Sequence, residues 1–184
     1  MKRIEILKEI ARNPLIDKRR VLLVSNIGYC SRELFSIANR PGNFYMLGSM
    51  GLASSIGLGV ALAQRKREVI VLDGDASILM NLGTLSTIAN FAPRNFHLVI
   101  VDNKVNGSTG GQNSNTSLKT DLAEMARSAG VQDVRTIRSR KDLKRPVTSL
   151  VTVVECEPSN ENVPKVSLKA KGIRRTFMRY AQPV

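Results

Sequence analysis

Three short, unbroken apolar runs constrain this chain more than any other feature: VLLV at 21–24, VIVL at 69–72 and LVIV at 98–101. A strand with one wet face alternates apolar and polar residues, whereas a strand covered on both faces reads as a continuous apolar run. Each run stops on polar residues: Ser25-Asn26-Ile27-Gly28, Asp73-Gly74-Asp75-Ala76 and Asp102-Asn103. Segments of helical spacing fill the intervals between them. The pattern predicts an α/β domain, a parallel sheet with helices on both faces. Ligands of such sheets bind beyond the carboxyl ends of the strands. The polar residues gather there, at Asn26 and Gly28, at 73–76 and at 102–108.

The helical segments read as follows. Ile4, Leu7 and Ile10 form an apolar stripe that Asn13-Pro14 ends. Residues 32–38 form a second helix. Residues 48–63, crowded with glycine, alanine and serine, form a smooth, buried helix that lets another backbone approach closely. Ile78, Leu82, Leu85 and Ile88 mark one helix that stops before Pro93. A polar loop covers about 106–118, and Asp121 opens a helix carrying Leu122, Met125 and Ala129, which Gly130 closes. Two more strands lie at 134–137 and 150–154. Only 12 residues separate them, room for a short basic helix at 141–145 before Pro146.

At 184 residues with 42% hydrophobic and 23% charged side chains, the chain is expected to be one globular domain spanning 1–184. No apolar run approaches the ~20 residues of a membrane span. The N-terminal MKRIEILKEIARN threads charges through its apolar residues, unlike a secretory signal. Cys30 and Cys156 lack metal-ligand spacing and are too few for a disulfide scaffold, so a reducing cytoplasm is expected. The net charge is +13, and residues 135–184 hold twelve basic against four acidic side chains. That balance suits an anionic substrate, an acidic companion subunit or a polyanion. Aromatics are only 4%, with no Trp, which argues against nucleic acid.

Asp75 and Asn103 end neighbouring strands, 28 residues apart with a helix between. Adjacent parallel strands would bring a carboxylate and an amide oxygen together beside free backbone N–H groups, a setting for Mg²⁺ on a diphosphate. The alternative is that Asp75 caps its helix and Asn103 makes a turn.

VLDGDASILMNLGTLSTIAN followed by VIVDNKVNGSTGG resembles the signature of thiamine-diphosphate enzymes, a Gly-Asp-Gly at one strand end and Asp-Asn or Asn-Asn at the next. NIGYCSRELFSI and NFYMLGSMGLASSIGLGVALA are similar to segments shared by sulfopyruvate and phosphonopyruvate decarboxylases. The likeness is densest over about residues 1–130 and is greatest to the β subunits of sulfopyruvate decarboxylases, from coenzyme M biosynthesis in methanogens. It implies the diphosphate-binding fold and decarboxylation of 3-sulfopyruvate to sulfoacetaldehyde and CO₂. It also implies Asp75, Asn103 and the Val105 carbonyl as Mg²⁺ ligands, and the backbone of Gly74, Ala76 and Ser77 as the diphosphate cradle. Gly48, Ser49 and Met50 would touch the cofactor, with Met50 forcing its bent shape. The activating glutamate of the family lies on a pyrimidine-binding domain, and no glutamate here sits in its motif. The resemblance therefore implies an α subunit that completes the active site in a hetero-oligomer.

Arg32 is the candidate for meeting a sulfonate or phosphonate, because its planar fork suits such groups. An ion pair with Glu33 is the competing role. His97 and Cys30 read as structural. Ala76 departs from the signature's second glycine, where its methyl crowds the diphosphate or demands a negative φ. Asn106 replaces an aromatic common among relatives. The basic segment at 165–184 is expected to be a solvated face, with docking onto an acidic subunit or attraction of the dianionic substrate as alternatives. Other 2-keto acids, or nucleic acid bound by a chain whose cofactor site has decayed, are the rival functions.

Overall fold

A computed structural model describes residues 1–12 and 21–182. The Asn13-Pro14 helix stop lies outside them. The described elements are α1 (Arg3–Ala11), β1 (Val21–Ser25), α2 (Tyr29–Ala38), β2 (Asn43–Tyr45), α3 (Ala53–Ala63) and β3 (Glu68–Gly74). Then come α4 (Asp75–Ile78), a 3₁₀ turn (Leu79–Asn81), α5 (Gly83–Phe91), β4 (Phe96–Asp102), β5 (Val105–Asn106) and β6 (Gln112–Asn113). After a second 3₁₀ turn (Asn115–Ser117) follow α6 (Leu122–Ser128), β7 (Val134–Ile137), α7 (Arg140–Leu143), β8 (Val151–Glu155) and α8 (Ala170–Ala181).

Six strands form one sheet in the order β2-β1-β3-β4-β8-β7, every neighbouring pair parallel. All residues of β1 and β4 are buried, as the unbroken apolar runs require. Successive side chains of a strand point to opposite faces, so each run supplies two cores. Leu22, Val24, Val69, Val71, Leu98 and Ile100 pack with α3, α5 and α6, while Leu23, Ile70, Leu72, Val99 and Val101 pack with α1 and α2. The expected two-sided parallel sheet is therefore observed.

Several elements differ from expectation. In α1 the inward residues are Arg3, Ile6, Leu7 and Ile10, and Ile4 is only half-buried. The small-residue helix begins at Ala53, leaving 48–52 as a loop. Its close approach is real: a Cβ on Gly57 would lie 2.1 Å from Val71 Cγ2. The helix expected from Ile78 to Ile88 is split into α4, the 3₁₀ turn and α5. The polar loop contains the small β5–β6 pair. The crossover from β7 to β8 holds only the single turn α7, one residue earlier than expected. The basic C-terminal segment forms α8, which covers the edge strand β2, with Phe177 against Phe44 at 5.4 Å between ring centroids. A helix packed on an edge strand hinders another chain from pairing with it. Arg174, Arg175 and Arg179 face outward. Among the described residues no helix is long and apolar enough to cross a membrane.

Candidate active site

From β1 the chain turns to β2 on one side and then, through α3, to β3 on the other. That reversal opens a crevice between the carboxyl ends of β1 and β3, where open α/β sheets take ligands. An open cavity lies there, lined from residues 26–30, 73–77 and 105–108, with Arg3, Met50, Val101 and Asn103. Two glycines leave their missing side-chain directions open toward it. A Cβ on Gly28 would meet nothing nearer than Ser108 at 3.8 Å, and one on Gly74 nothing nearer than Asn26 at 3.9 Å. Gly28 has φ +76° and starts α2, whose first turn carries no side-chain cap. Its free N–H groups form an anion-favouring end at the cavity.

Asp75 is 2% exposed. It opens α4 without capping it; its carboxylate turns to other segments instead. Asp75 Oδ2 accepts hydrogen bonds from Ser114 Oγ and, at 3.2 Å, from Thr116 Oγ1. The Asn103 amide stands between two sets of partners. One end lies 3.0 Å from the Val105 carbonyl oxygen and 3.1 Å from Asp75 Oδ1; the other lies 3.3 Å from Arg3 Nη1. With nitrogen toward the two oxygens, Asn103 donates to both and accepts from Arg3. With its oxygen there, three oxygens from Asp75, Asn103 and Val105 converge. The helix-cap alternative for Asp75 is thereby displaced.

Thr116 Oγ1 also lies 2.7 Å from Asp102 Oδ1, so one hydroxyl sits between two carboxylates. Burial pushes the Asp102 carboxyl above its ordinary range, with the Thr116 hydrogen bond opposing. Asp73 is fully buried, accepts from the Gly74 N–H at 2.9 Å and leaves Oδ2 without a hydrogen bond of ordinary geometry. Burial pushes its carboxyl up to about 6, with the nearby Ser77 hydroxyl and Gly74 N–H offsetting part of the effect. A raised carboxyl favours the protonated form in the fold. Its contribution to stability is present in full below the ordinary value of 3.8 and is lost as pH rises through 6. Over that window the loss is about 3 kcal/mol. Asp73→Asn is expected to flatten this slope and to raise the melting temperature of the cofactor-free chain at pH 7.5. Thermal unfolding from pH 4 to 8 checks it, and an unchanged slope would exclude Asp73 as its source.

Of the residues expected from sequence, Met50, Gly74, Asp75, Ala76, Ser77, Asn103 and Val105 all line the cavity. Gly48 and Ser49 are exposed, and among the described residues neither lines it. Ala76 sits within α4 without a positive φ, so its methyl imposes no backbone strain. Arg32 is half-buried outside the cavity lining, its guanidinium 5.0 Å from the Tyr29 ring centroid. Its expected partner Glu33 instead binds Arg3 through two hydrogen bonds, at 3.0 and 2.9 Å. His97 lies near the opposite end of β4, held by Ser149 and Glu68. Burial pushes the Cys30 thiol up to about 12, an inert side chain at the cavity wall. Arg3, Ser114 and Thr116 were not legible as site residues, because each reaches the site from a distant stretch of chain; Tyr29 follows Gly28 directly but carries no pattern of its own.

Residues 26–156 match the family model of the thiamine pyrophosphate enzyme C-terminal TPP binding domain. The sulfopyruvate decarboxylase subunit beta of Methanocaldococcus jannaschii is 43% identical over 96% of this chain and 95% of its own length. The chain belongs to the sulfopyruvate decarboxylase β-subunit family. By that membership it is a subunit of a 2-keto acid carboxy-lyase with a thiamine diphosphate-binding domain. A further member of these relatives, the sulfopyruvate decarboxylase of Methanosarcina acetivorans, is 36% identical over 85% of this chain but only 42% of its own length. The fold is also that of a 2-oxoglutarate:ferredoxin oxidoreductase from Magnetococcus marinus, with a TM-score of 0.68 at 19% identity, covering 85% of this chain and 62% of that one.

Proposed function

We propose that this chain, acting as one diphosphate-binding domain, is the β subunit of a thiamine diphosphate- and Mg²⁺-dependent decarboxylase. Its reaction converts 3-sulfopyruvate and a proton to sulfoacetaldehyde and CO₂, in the coenzyme M route of methanogens. The observation that carries this reading is the convergence of Asp75, Asn103 and Val105 beside the open Gly74 backbone. Oxygens about 2.1 Å from an octahedral Mg²⁺ stand about 3.0 Å from one another. The spacings of 3.0 and 3.1 Å fit that requirement when a bound cation draws the Asn103 oxygen inward; with no cation there the amide nitrogen faces the two oxygens and donates to both. Among the described residues no group of three or more His, Cys, Asp or Glu side chains offers a competing metal site.

In this reading Asp75, the Asn103 amide oxygen and the Val105 carbonyl would hold the cation, which would supply charge neutralisation for the diphosphate. The Ala76 and Ser77 N–H groups, beside the open Gly74 backbone, and the open first turn of α2 would take the remaining diphosphate charge; the Gly74 N–H itself is bound to Asp73. Met50, which lines the cavity, would support the cofactor. Bound thiamine diphosphate supplies the electron sink for loss of CO₂ from a 2-keto acid. This chain would orient that group, with Ile27, Met50, Val101 and Val105 as the apolar part of the cavity lining. Among the described residues lining the cavity there is no glutamate, so a partner subunit carries the proton-transfer group at the pyrimidine. The longer single-chain relative supports two functional halves.

The test is CO₂ release by this chain co-purified with its partner, supplied with thiamine diphosphate and Mg²⁺. 3-Sulfopyruvate is expected to turn over in preference to phosphonopyruvate and pyruvate, and this chain alone is expected to be inactive. Preference for a rival would reassign the substrate. No turnover of any keto acid by a cofactor-loaded complex would refute the decarboxylase reading.

A further inference from the structure

Met50 rides on a loop without regular structure of its own, and both its neighbours are left-handed: Ser49 has φ +61° and Gly51 φ +91°. A non-glycine residue in that region is strained and is held there by its surroundings. The holding groups are two side chains from the segment that follows β3. The Gly51 N–H donates to Ser77 Oγ at 3.0 Å, and the Gly51 carbonyl accepts from Asn81 Nδ2 at 3.1 Å. The same Asn81 amide donates to Ser55 Oγ at 3.2 Å in the first turn of α3. Glycine is needed at 51 on a second count, because a Cβ there would lie 3.1 Å from Met80 Cβ and 3.3 Å from the Ser77 carbonyl. The 3₁₀ turn Leu79–Asn81 breaks the expected helix at the residue that makes this contact.

We infer that Asn81 is a positioning residue: by clamping Gly51 it sets the pose of Met50 in the cofactor cavity. The inference rests on the reading of Met50 as the cofactor's support. Ser77 belongs to the proposed diphosphate cradle, so changing it would confound the two effects. Asn81 is half-buried and, among the described residues, outside the cavity lining, so its loss leaves the cradle intact. A displacement of a support by about 1 Å is enough to cost on the order of a hundredfold in a reaction that depends on orientation.

Two measurements test this. In the full chain without cofactor, Asn81→Ala is expected to speed amide hydrogen exchange in the peptide covering residues 47–55, with the sheet unchanged. In the complex with its partner, loaded with thiamine diphosphate and Mg²⁺, deuterium exchange at the cofactor's C2 is followed by quench and NMR. Asn81→Ala is expected to slow that exchange at least about tenfold, while cofactor affinity by calorimetry stays close to that of the natural chain. Met50→Ala is expected to slow it as well, and the double variant to be no slower than Met50→Ala alone. Unchanged exchange in both experiments for Asn81→Ala, with Met50→Ala slowed, would overturn the inference and leave the Met50 reading standing. Multiplied effects in the double variant would likewise overturn it, because Asn81 would then act independently of Met50. Unchanged C2 exchange in Met50→Ala would overturn the reading itself.

Discussion

Asp75→Ala in the assembled, cofactor-supplied protein is expected to lower kcat/KM for the keto acid at least about a thousandfold, the loss of several kcal/mol of charge stabilisation. Asp75 is the one carboxylate among the three proposed cation ligands, and it is 2% exposed, so solvent does little to screen its charge. Its second oxygen is already engaged by Ser114 and Thr116, which fixes the first toward Asn103 and Val105. Asp75→Asn preserves the shape and removes the charge, so it separates the two contributions. Its activity is expected to stay low, with partial recovery as Mg²⁺ is raised. Neither variant is expected to unfold the chain, because each removes a buried charge held only by hydroxyl and amide dipoles. Steady-state kinetics beside calorimetric titration of thiamine diphosphate at several Mg²⁺ concentrations would check this. Full activity in Asp75→Ala would move the cation elsewhere.

The second large effect concerns stability. Arg3→Met is expected to cost about 3–5 kcal/mol, the penalty for leaving one member of a buried ion pair without its partner. Glu33 is 0% exposed and receives both the Nε and Nη2 hydrogens of Arg3. The same guanidinium donates to the Ser159 carbonyl at 2.8 Å and to Asn160 Oδ1 at 3.0 Å. Asn160 in turn donates to the Gly107 carbonyl on the loop after Asn103. One side chain of α1 thus ties together α2, the strap after β8 and the loop beside the proposed cation site. The double variant Arg3→Met, Glu33→Leu is expected to recover most of the loss, since an apolar pair avoids the desolvation that the charges suffer. Urea unfolding at constant m-value measures both. Equal stabilities of the natural chain and Arg3→Met would show that the pair contributes nothing.

Much of the architecture could be read from residue order. The runs at 21–24, 69–72 and 98–101 are buried on both faces because no polar residue interrupts them, and parallel pairing follows from the helical segments between them. The spacing from Asp75 to Asn103 is one crossover, so adjacent parallel strands bring their ends together. Gly74, Ala76, Ser77, Met50 and Val105 were identified through resemblance and do line the cavity. Local pattern failed at α1, where Ile6 faces inward and Ile4 does not, because three-residue spacing alone leaves the buried stripe ambiguous by one position. It failed again at Leu79–Asn81, where a bond to Gly51, thirty residues away, accompanies a break in a helix that periodicity alone would continue.

What the amino-acid order determined by itself was therefore five of the six strands of the sheet, the covered faces of the three central runs and the strand ends that gather polar groups; the three-residue β2 left no such run. Only the tertiary structure decided the strand order and the crevice between β1 and β3. It alone paired Glu33 with Arg3 and not Arg32, and brought Ser114 and Thr116 onto Asp75. Burial of a strand or helix leaves a periodic trace in its own few residues. A hydrogen bond between residues 39 or 41 positions apart leaves none, because its partners are chosen by where the folded backbone carries them.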